Sequence, residues 1–502
     1  MNDSKPEENK SISEARRDKL EKIYSLGIDP YPTNFSRSHS NKDVVKLYQE
    51  RESKHETGYT TEENFQLAGR ITAQRNMGKA SFLDVNDGTE RIQIFCKKDQ
   101  LRDTYSLLEC LDIGDFIGVD GGLFRTKTGE ITLKATQITI LCKALRGLPE
   151  KWHGIQDTEK RYRQRYLDLA TNENIKTVFQ TRSNVISQIR RFMDQQGFLE
   201  VETPILVPIA AGAMARPFST HHNSLDQDLY LRIATELYLK RLIVGGFEKV
   251  YEIGRVFRNE GIDADHNPEF TLLESYQAYA DYNDVMTMVE NLVSTVATEL
   301  LGSNQVTWSN HTIVLAPPWK KLPLKEAIYQ YSNINIDNYQ DPNQLAKEMN
   351  NIGIEAKYSE SRGRLIDKIV SSKVEPNLIQ PTFLIDYPVE MSPLAKNKPG
   401  DPALTERFEA FICGMEIANS FTELNDPLVQ RKRFVEQEEL RTHYQMEDHD
   451  RLDEDFLIAL EHGMPPTGGL GIGIDRLIML LTNQQTIREV VLFPQLRKVD
   501  HL

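Results

Sequence analysis

The chain has 502 residues, 39% of them hydrophobic and 27% charged, with a formal net charge of −14 at pH 7. Its length suggests about three domains, and its composition suits a soluble globular protein with a sizeable core. It has no run of about 18 apolar residues and its charged start lacks an apolar segment, so neither a transmembrane helix nor a secretory signal is expected.

Residues 1–60 read as an N-terminal helical extension. A charged amphipathic helix is expected over 12–26. It ends at Gly27-Ile28-Asp29-Pro30-Tyr31-Pro32, because proline disfavours helix in the residue before it. Residues 61–145 change to short β-branched runs at 65–72, 80–85, 92–95, 115–124 and 131–141. Turn signals separate them, notably Asn86-Asp87-Gly88 and Lys127-Thr128-Gly129. Five strands in so short a span predict a five-stranded oligonucleotide-binding barrel. Residues 1–150 are nearly neutral, with 23 Lys/Arg against 24 Asp/Glu, while residues 151–502 carry 37 against 50. A uniformly basic nucleic-acid coat is thereby excluded, whereas a local site on the N-terminal part is not.

Residues 146–172 are polar, contain Pro149 and read as a linker. Residues 173–502 read as one long domain. A helix is expected over 174–196, stopping at Gly197, then a strand over 198–207 interrupted by Pro204. Later strands and helices lack a regular βαβ rhythm, so the fold class is α+β with a mostly antiparallel sheet flanked by helices. Cys96, Cys110, Cys142 and Cys413 are scattered without a CxxC pair. That argues against a disulfide framework or a thiolate zinc site and fits a reducing cytoplasm.

Three constellations carry chemistry. In the first, Tyr251 to Glu260 and Thr271 to Ala280 are strand-like runs flanking a polar loop. Arg258 and Glu260 differ by two, which puts them on the same face of the first strand. A fixed guanidinium binds phosphate or carboxylate bidentately, and His266, Asn267 and Phe270 on the loop could meet a triphosphate and a base. A charged hairpin with a surface ion pair fits the same residues. In the second, Glu409, Glu416 and Glu423 recur at seven-residue intervals. Clustered carboxylates beside phosphates suit Mg²⁺, which wants hard oxygen ligands; a solvated acidic face is the alternative. In the third, Gly468-Gly469-Leu470-Gly471-Ile472-Gly473-Ile474-Asp475-Arg476 precedes an apolar run. Glycines allow close backbone approach, and a helix starting there would aim its positive end at an anion, with Arg476 in its first turn. It is neither a Walker loop nor a convincing dinucleotide fingerprint.

Together these arrays resemble the three motifs of class II aminoacyl-tRNA synthetases. Gly197-Phe198-Leu199-Glu200-Val201-Glu202-Thr203-Pro204 looks like motif 1, Phe257-Arg258-Asn259-Glu260 through Phe270 like motif 2, and Gly471-Ile472-Gly473-Ile474-Asp475-Arg476 like motif 3. Within the class the chain resembles the bacterial-type lysyl branch. The residues that carry this are Arg216-Pro217-Phe218 with His221-His222-Asn223, the run from Arg232 to Arg241, His266-Asn267-Pro268-Glu269-Phe270, and Thr422-Glu423-Leu424-Asn425-Asp426-Pro427. The resemblance runs from about residue 12 to Pro494.

That resemblance implies ATP-dependent attachment of L-lysine to tRNA(Lys) through a lysyl-adenylate, by a homodimer. It implies that Arg258 binds the ATP α-phosphate and the amino-acid carboxylate, and that Arg476 holds the γ-phosphate with His266 nearby. Phe270 would stack on adenine and Glu260 would contact its edge, with Asn267 and Gly473 also at the nucleotide. Glu409 and Glu416 would hold Mg²⁺. Glu236 and the Gly212 carbonyl would take the lysine α-amino group, while Glu274, Tyr276, Asn419 and Glu423 surround the ε-ammonium. A buried ammonium has three donors and needs acceptors, at least one of them charged. In the barrel, Arg75, Phe82 and Gln93 match anticodon-reading positions, and an aromatic platform with a basic neighbour holds single-stranded bases. Ordinary strand packing for Tyr276 and a core aromatic for Phe82 remain the alternatives. Two departures from the family pattern are Ala210-Ala211-Gly212-Ala213, where Pro-Gly-Gly-Ala is frequent, and Thr235, where proline is.

Three rivals are weighed on residues. Glu423 and Glu274 argue against an aspartyl or asparaginyl enzyme. Arg258, Glu409, Glu416 and Arg476 argue against a non-catalytic RNA-binding derivative. The barrel argues against an enzyme that aminoacylates proteins.

Overall fold

The computed structural model describes residues 6–55, 59–149, 155–213, 215–444 and 453–498. The chain divides into two compact units, Met1–Gln156 and Asp157–Leu502.

In the first unit, helices Pro6–Ser25 and Asn41–Glu52 precede five strands, Phe65–Met77, Ala80–Asn86, Arg91–Lys97, Phe116–Arg125 and Ile131–Cys142. Each contains or nearly contains its expected run. They close into a barrel in the order first, second, third, fifth, fourth. Alternation along each strand sends Leu67, Ile71, Leu83, Val85, Ile92, Ile94 and Leu133 to the interior, the period-two consequence of the pleat. The Asn86-Asp87-Gly88 turn places Gly88 at φ +93°, in the left-handed region that glycine enters without steric cost.

The second unit is built on a nine-stranded sheet. Its path runs Lys320–Pro323, Thr382–Pro388, Asp401–Ile412, Met415–Thr422, Thr467–Gly473, Glu269–Ala278, Lys249–Phe257, Leu199–Glu200, and Asn397–Lys398 pairs beside the third of these. The central pairings are all antiparallel; only the two outermost are parallel. Helices Glu173–Gln195, Tyr282–Leu301 and Ile474–Thr482 supply apolar faces to its core, through residues such as Val185, Ile189, Val289, Leu292, Leu477 and Leu480. The helix Tyr282–Leu301 starts with a capping box between Asp281 and Asp284 and stops at Gly302, φ +69°, as capping chemistry requires.

Several local expectations need correction. The segment from Pro204 backward and forward is two short strands, Leu199–Glu200 and Leu206–Val207, not one. The expected linker carries two helices, Thr158–Arg163 and Arg165–Thr171, within the second unit. Arg165 is fully buried there, bonded to Asp168 at 2.8 Å and to the Leu492 carbonyl at 3.0 Å. A polar sequence thus concealed a buried hydrogen-bond network. The glycine run 467–473 is itself a strand, and the helix begins only at Ile474. The first hairpin strand stops at Phe257, so Arg258 and Glu260 lie in the loop and share no strand face.

Candidate active site and nucleic-acid interface

A cavity of about 390 Å³ opens over the centre of the sheet. The floor is the glycine strand. Gly471 sits in register between Glu274 and Asn419, and Gly469 between Tyr276 and Phe421. Leu470 and Ile472, pointing the other way, belong to the core. A Cβ on Gly469 would lie 1.9 Å from Glu423 Oε1 and 2.6 Å from the Tyr276 ring. Glycine is therefore required where these two side chains approach the backbone. Phe270, Leu272, Glu274 and Tyr276 all line the cavity, one face of the strand Glu269–Ala278.

One end of the cavity is acidic and buried. Glu236, the first residue of helix Glu236–Val244, is buried together with Glu274, Tyr276 and Glu423. Gly212, at φ +94°, lines the same end, and a Cβ added there would lie 3.4 Å from the Cβ atoms of Ala234 and Glu236. Burial raises the Glu274 carboxyl to about 7, opposed by hydrogen bonds from Thr235 and raised further by Glu236. Thr235 donates its backbone N–H to Glu274 Oε2 at 2.9 Å, and its hydroxyl donates to the same oxygen. A proline there could give neither bond, so the Thr235 departure ties down Glu274. Burial likewise raises Glu423 to about 8, with the buried Lys240 ammonium pulling it down and Glu236 and Glu274 pushing it up. Lys240 Nζ lies 2.5 Å from Glu423 Oε2 and 2.5 Å from Glu236 Oε1. Lys240 thus satisfies Glu423 Oε2, while Glu423 Oε1 and Asn419 Oδ1 are buried acceptors with no hydrogen-bond donor. Unsatisfied buried acceptors are costly. Those on Glu423 and Asn419, on residues lining one cavity, are what an incoming ammonium would satisfy.

The other end is cationic. Arg258 donates to the Ile233 carbonyl at 3.4 Å and lies 5.2 Å from the Phe270 ring centroid. Among the described residues it has no ion-pair partner within the protein, which leaves its fork available to an anion. Arg476, in the first turn of its helix as expected, donates to the Glu416 carbonyl at 2.9 Å and its carboxylate at 3.2 Å, and meets His266 Nε2 at 3.1 Å. Arginine only donates, so Nε2 accepts and Nδ1 carries the hydrogen toward Asp263, 2.9 Å away. Glu260, Asn267 and Gly473 also line the cavity.

Glu416 lines the cavity, and Glu409 is paired with Arg407 and within reach of Asn419, both of which line it. Glu409 accepts from the Tyr387 hydroxyl at 2.7 Å and from Arg407. Among the described residues no group of three or more His, Cys, Asp or Glu side chains is arranged to hold a metal. The carboxylates nevertheless crowd one another: Glu375 is raised to about 7 by burial and then by Glu409, Glu416 and Asp367. Hard oxygens that repel in this way fit a divalent cation whose remaining ligands come from a triphosphate.

On the barrel, Arg75, Phe82 and Gln93 sit on three adjacent strands. Arg75 pairs across from Phe82, and Asp84 across from Gln93. Arg75 bonds Asp84 at 3.2 Å and Gln93 accepts from Thr132 at 3.0 Å. Phe82 is half-buried and outside the barrel core, 5.0 Å from Phe95, which in turn lies 6.1 Å from Phe124. The core-aromatic alternative for Phe82 therefore fails. Phe95 and Phe124 extend the platform; their strand positions were readable, but which face was outward was not. Thr235, Arg407 and Tyr387 were also missed, since each acts by holding a carboxylate that only the folded chain brings near.

An antiparallel sheet with arginines on its second hairpin and after its glycine strand, over a floor without side chains, defines the class II synthetase catalytic unit. The comparisons agree and refine it. Residues 157–497 match the family described as tRNA synthetases class II (D, K and N), and residues 65–141 match the OB-fold nucleic acid binding domain. A lysine–tRNA ligase of Dehalococcoides mccartyi is 55% identical over 487 residues, covering 97% of each chain. Those of Pelotomaculum thermopropionicum and Moorella thermoacetica are 52% and 50% identical, over 97% and 98% of this chain and 95% and 99% of theirs. The chain belongs to the class II tRNA synthetases and, within them, to the lysine–tRNA ligase family.

Proposed function

We propose that the protein attaches L-lysine to tRNA(Lys) at the expense of ATP. The observation that carries this is the pair of buried oxygens without a donor, Glu423 Oε1 and Asn419 Oδ1, in the cavity that Tyr276 also lines. In the first step the lysine carboxylate attacks the ATP α-phosphorus, and pyrophosphate leaves. Arg258 neutralises the carboxylate and the α-phosphate together, and Arg476, steadied by His266, takes the γ-phosphate. Phe270 stacks on adenine, Glu260 meets its edge, and Asn267 and Gly473 shape the nucleotide end. Glu236 and the Gly212 carbonyl hold the α-ammonium; Glu274, Tyr276, Asn419 and Glu423 hold the ε-ammonium. Glu409 and Glu416 would hold Mg²⁺, which supplies charge neutralisation on the phosphates when bound. In the second step the tRNA 3′-terminal hydroxyl takes the lysyl group and AMP leaves. No protein nucleophile is needed, because positioning and preorganised charge carry both steps.

The barrel reads the anticodon through Arg75, Phe82 and Gln93. The assembly is an isologous homodimer through motif 1, supported by exposed Leu199, Ile205 and Leu206 on that segment; a monomer at micromolar concentration by analytical ultracentrifugation would overturn it. No helix among the described residues is long and apolar enough to cross a membrane, and we place the enzyme in the cytoplasm. ATP–pyrophosphate exchange with lysine, aspartate and asparagine tests the reading: exchange is expected with lysine alone.

A further inference from the structure

We propose that Lys240 is a positioning and charge-balancing residue for amino-acid recognition: a built-in ammonium that ties Glu236 to Glu423 and leaves the pocket short of two further ammonium groups. The inference rests on the lysine reading of the cavity.

Lys240 sits one turn after Glu236 on helix Glu236–Val244, so the two side chains lie on one face. Its side chain is fully buried and does not line the cavity; it stands behind the wall that Glu236 and Glu423 form. Its ammonium lies 2.5 Å from an oxygen of each. Around it are the Tyr276 ring and the Phe456 ring, each 5.9 Å away at the centroid. The acids at helix Glu454–Glu461, which carries Phe456, are taken elsewhere: its N-cap Asp453 and Asp455 pair with Arg241, and Glu454 and Glu461 with Arg431. The charged groups facing Lys240 are therefore Glu236 and Glu423, with Glu274 the third acid at this end. Three carboxylates and one internal ammonium leave two negative charges. Free lysine brings two ammonium groups to that end and one carboxylate to Arg258, so the bound state is neutral at both ends.

A buried ion pair is weak evidence for stability, since desolvation offsets much of the attraction. A function in arranging the carboxylates accounts for its retention at the wall of a binding cavity. Lys240 also favours the charged form of Glu423. Removing it would leave three acids facing two ammonium groups, and one acid would hold its proton to higher pH.

The test is lysine-dependent pyrophosphate exchange by the full chain, comparing wild type, Lys240→Met and Lys240→Arg, with thermal unfolding as a check on folding. For Lys240→Met we expect KM for lysine to rise about tenfold or more, with kcat and KM for ATP within about threefold. The acid limb of kcat/KM for lysine should move up by about one pH unit. Lys240→Arg should keep that limb at the wild-type position. A Lys240→Met enzyme with an unmoved limb, or with KM for lysine within about twofold, overturns the proposal. Equal losses in both variants with KM for ATP also raised would mean packing alone, and overturn it too. If Lys240→Met does not fold, Lys240→Gln takes its place in the same comparison. Absence of lysine-dependent exchange in the wild type would overturn the underlying reading instead.

Discussion

At the ammonium end of the cavity Glu236, Glu274 and Glu423 are all buried, and two of these carboxyls sit near neutrality. At the phosphate end Arg258 and Arg476 are only partly buried and His266 is exposed. Under the proposed function the contrast follows from what each end would receive. An aliphatic chain with one terminal charge is told from its neutral analogues only if water is excluded and the acceptors have no other partner. A triphosphate brings several charges and its own cation, so the residues that meet it can remain in contact with solvent. On the proposed reading, selectivity belongs to the buried end and charge neutralisation in the reaction to the open one.

Breaking the open end should cost most in rate. Arg258→Ala should lower exchange on the order of 10²–10³-fold, the usual cost of losing one preorganised charge donor, with the fold intact. Exchange within about threefold of wild type would show that Arg258 is misassigned. Breaking the buried end should cost selectivity. Glu423→Gln removes the charge at constant size, and charged hydrogen bonds contribute roughly 1.5–3 kcal/mol. Lysine kcat/KM should fall by about two orders of magnitude while KM for ATP barely changes. If affinity for Mg·ATP falls and lysine preference survives, Glu423 belongs to the metal site.

The barrel lies in the other unit and provides a control for both ends. Phe82→Ala should weaken tRNA charging, since base stacking is worth about 1–3 kcal/mol per base, and leave lysine activation unchanged. Equal loss in both steps would contradict a role confined to the anticodon.

A pH series sharpens the contrast. Glu274 and Glu423 have folded pKa values of about 7 and about 8, above the ordinary 4.5. Each therefore contributes stability that is full below pH 4.5 and lost as pH rises through 7 to 8. Lysine removes that loss by pairing with the ionised carboxylates. The gain in Tm from a fixed lysine concentration should be larger at about pH 8.5 than at about pH 6; a gain that shrinks with pH would contradict the buried-acid account. The smallest effect should come from Thr235→Ala, which removes one of two donors to Glu274 and should raise KM for lysine several-fold while sparing ATP, as read by exchange kinetics.

How much of this was legible in the sequence differs between the ends. The barrel strands follow from β-branched runs and turn signals, which are local; Glu274 and Tyr276 came only from the resemblance. Arg258, Arg476 and Glu423 were found because their motifs resemble a family. Spacing alone left a surface ion pair and an acidic face open. Lys240 was given no role, since nothing local in the sequence says that its helix face will be buried. Glu409 and Glu416 stand on neighbouring strands across a bulge between Ala410 and Phe411, a register that their seven-residue spacing does not show. The glycine run was read only as a lead-in to a helix, and it is a strand because it pairs with a neighbour on each side.

The central claim is that donorless buried oxygens read the ε-ammonium. Pyrophosphate exchange with lysine and with norleucine, on wild type and on Glu423→Gln, tests it most directly. Norleucine keeps the chain and lacks the ammonium. Wild type should prefer lysine by about 10⁴-fold, as sites built around a buried polar group do, and Glu423→Gln should narrow that gap mainly by losing lysine. A wild-type enzyme that activates norleucine within about tenfold of lysine, or a variant that keeps the full gap, would contradict the account.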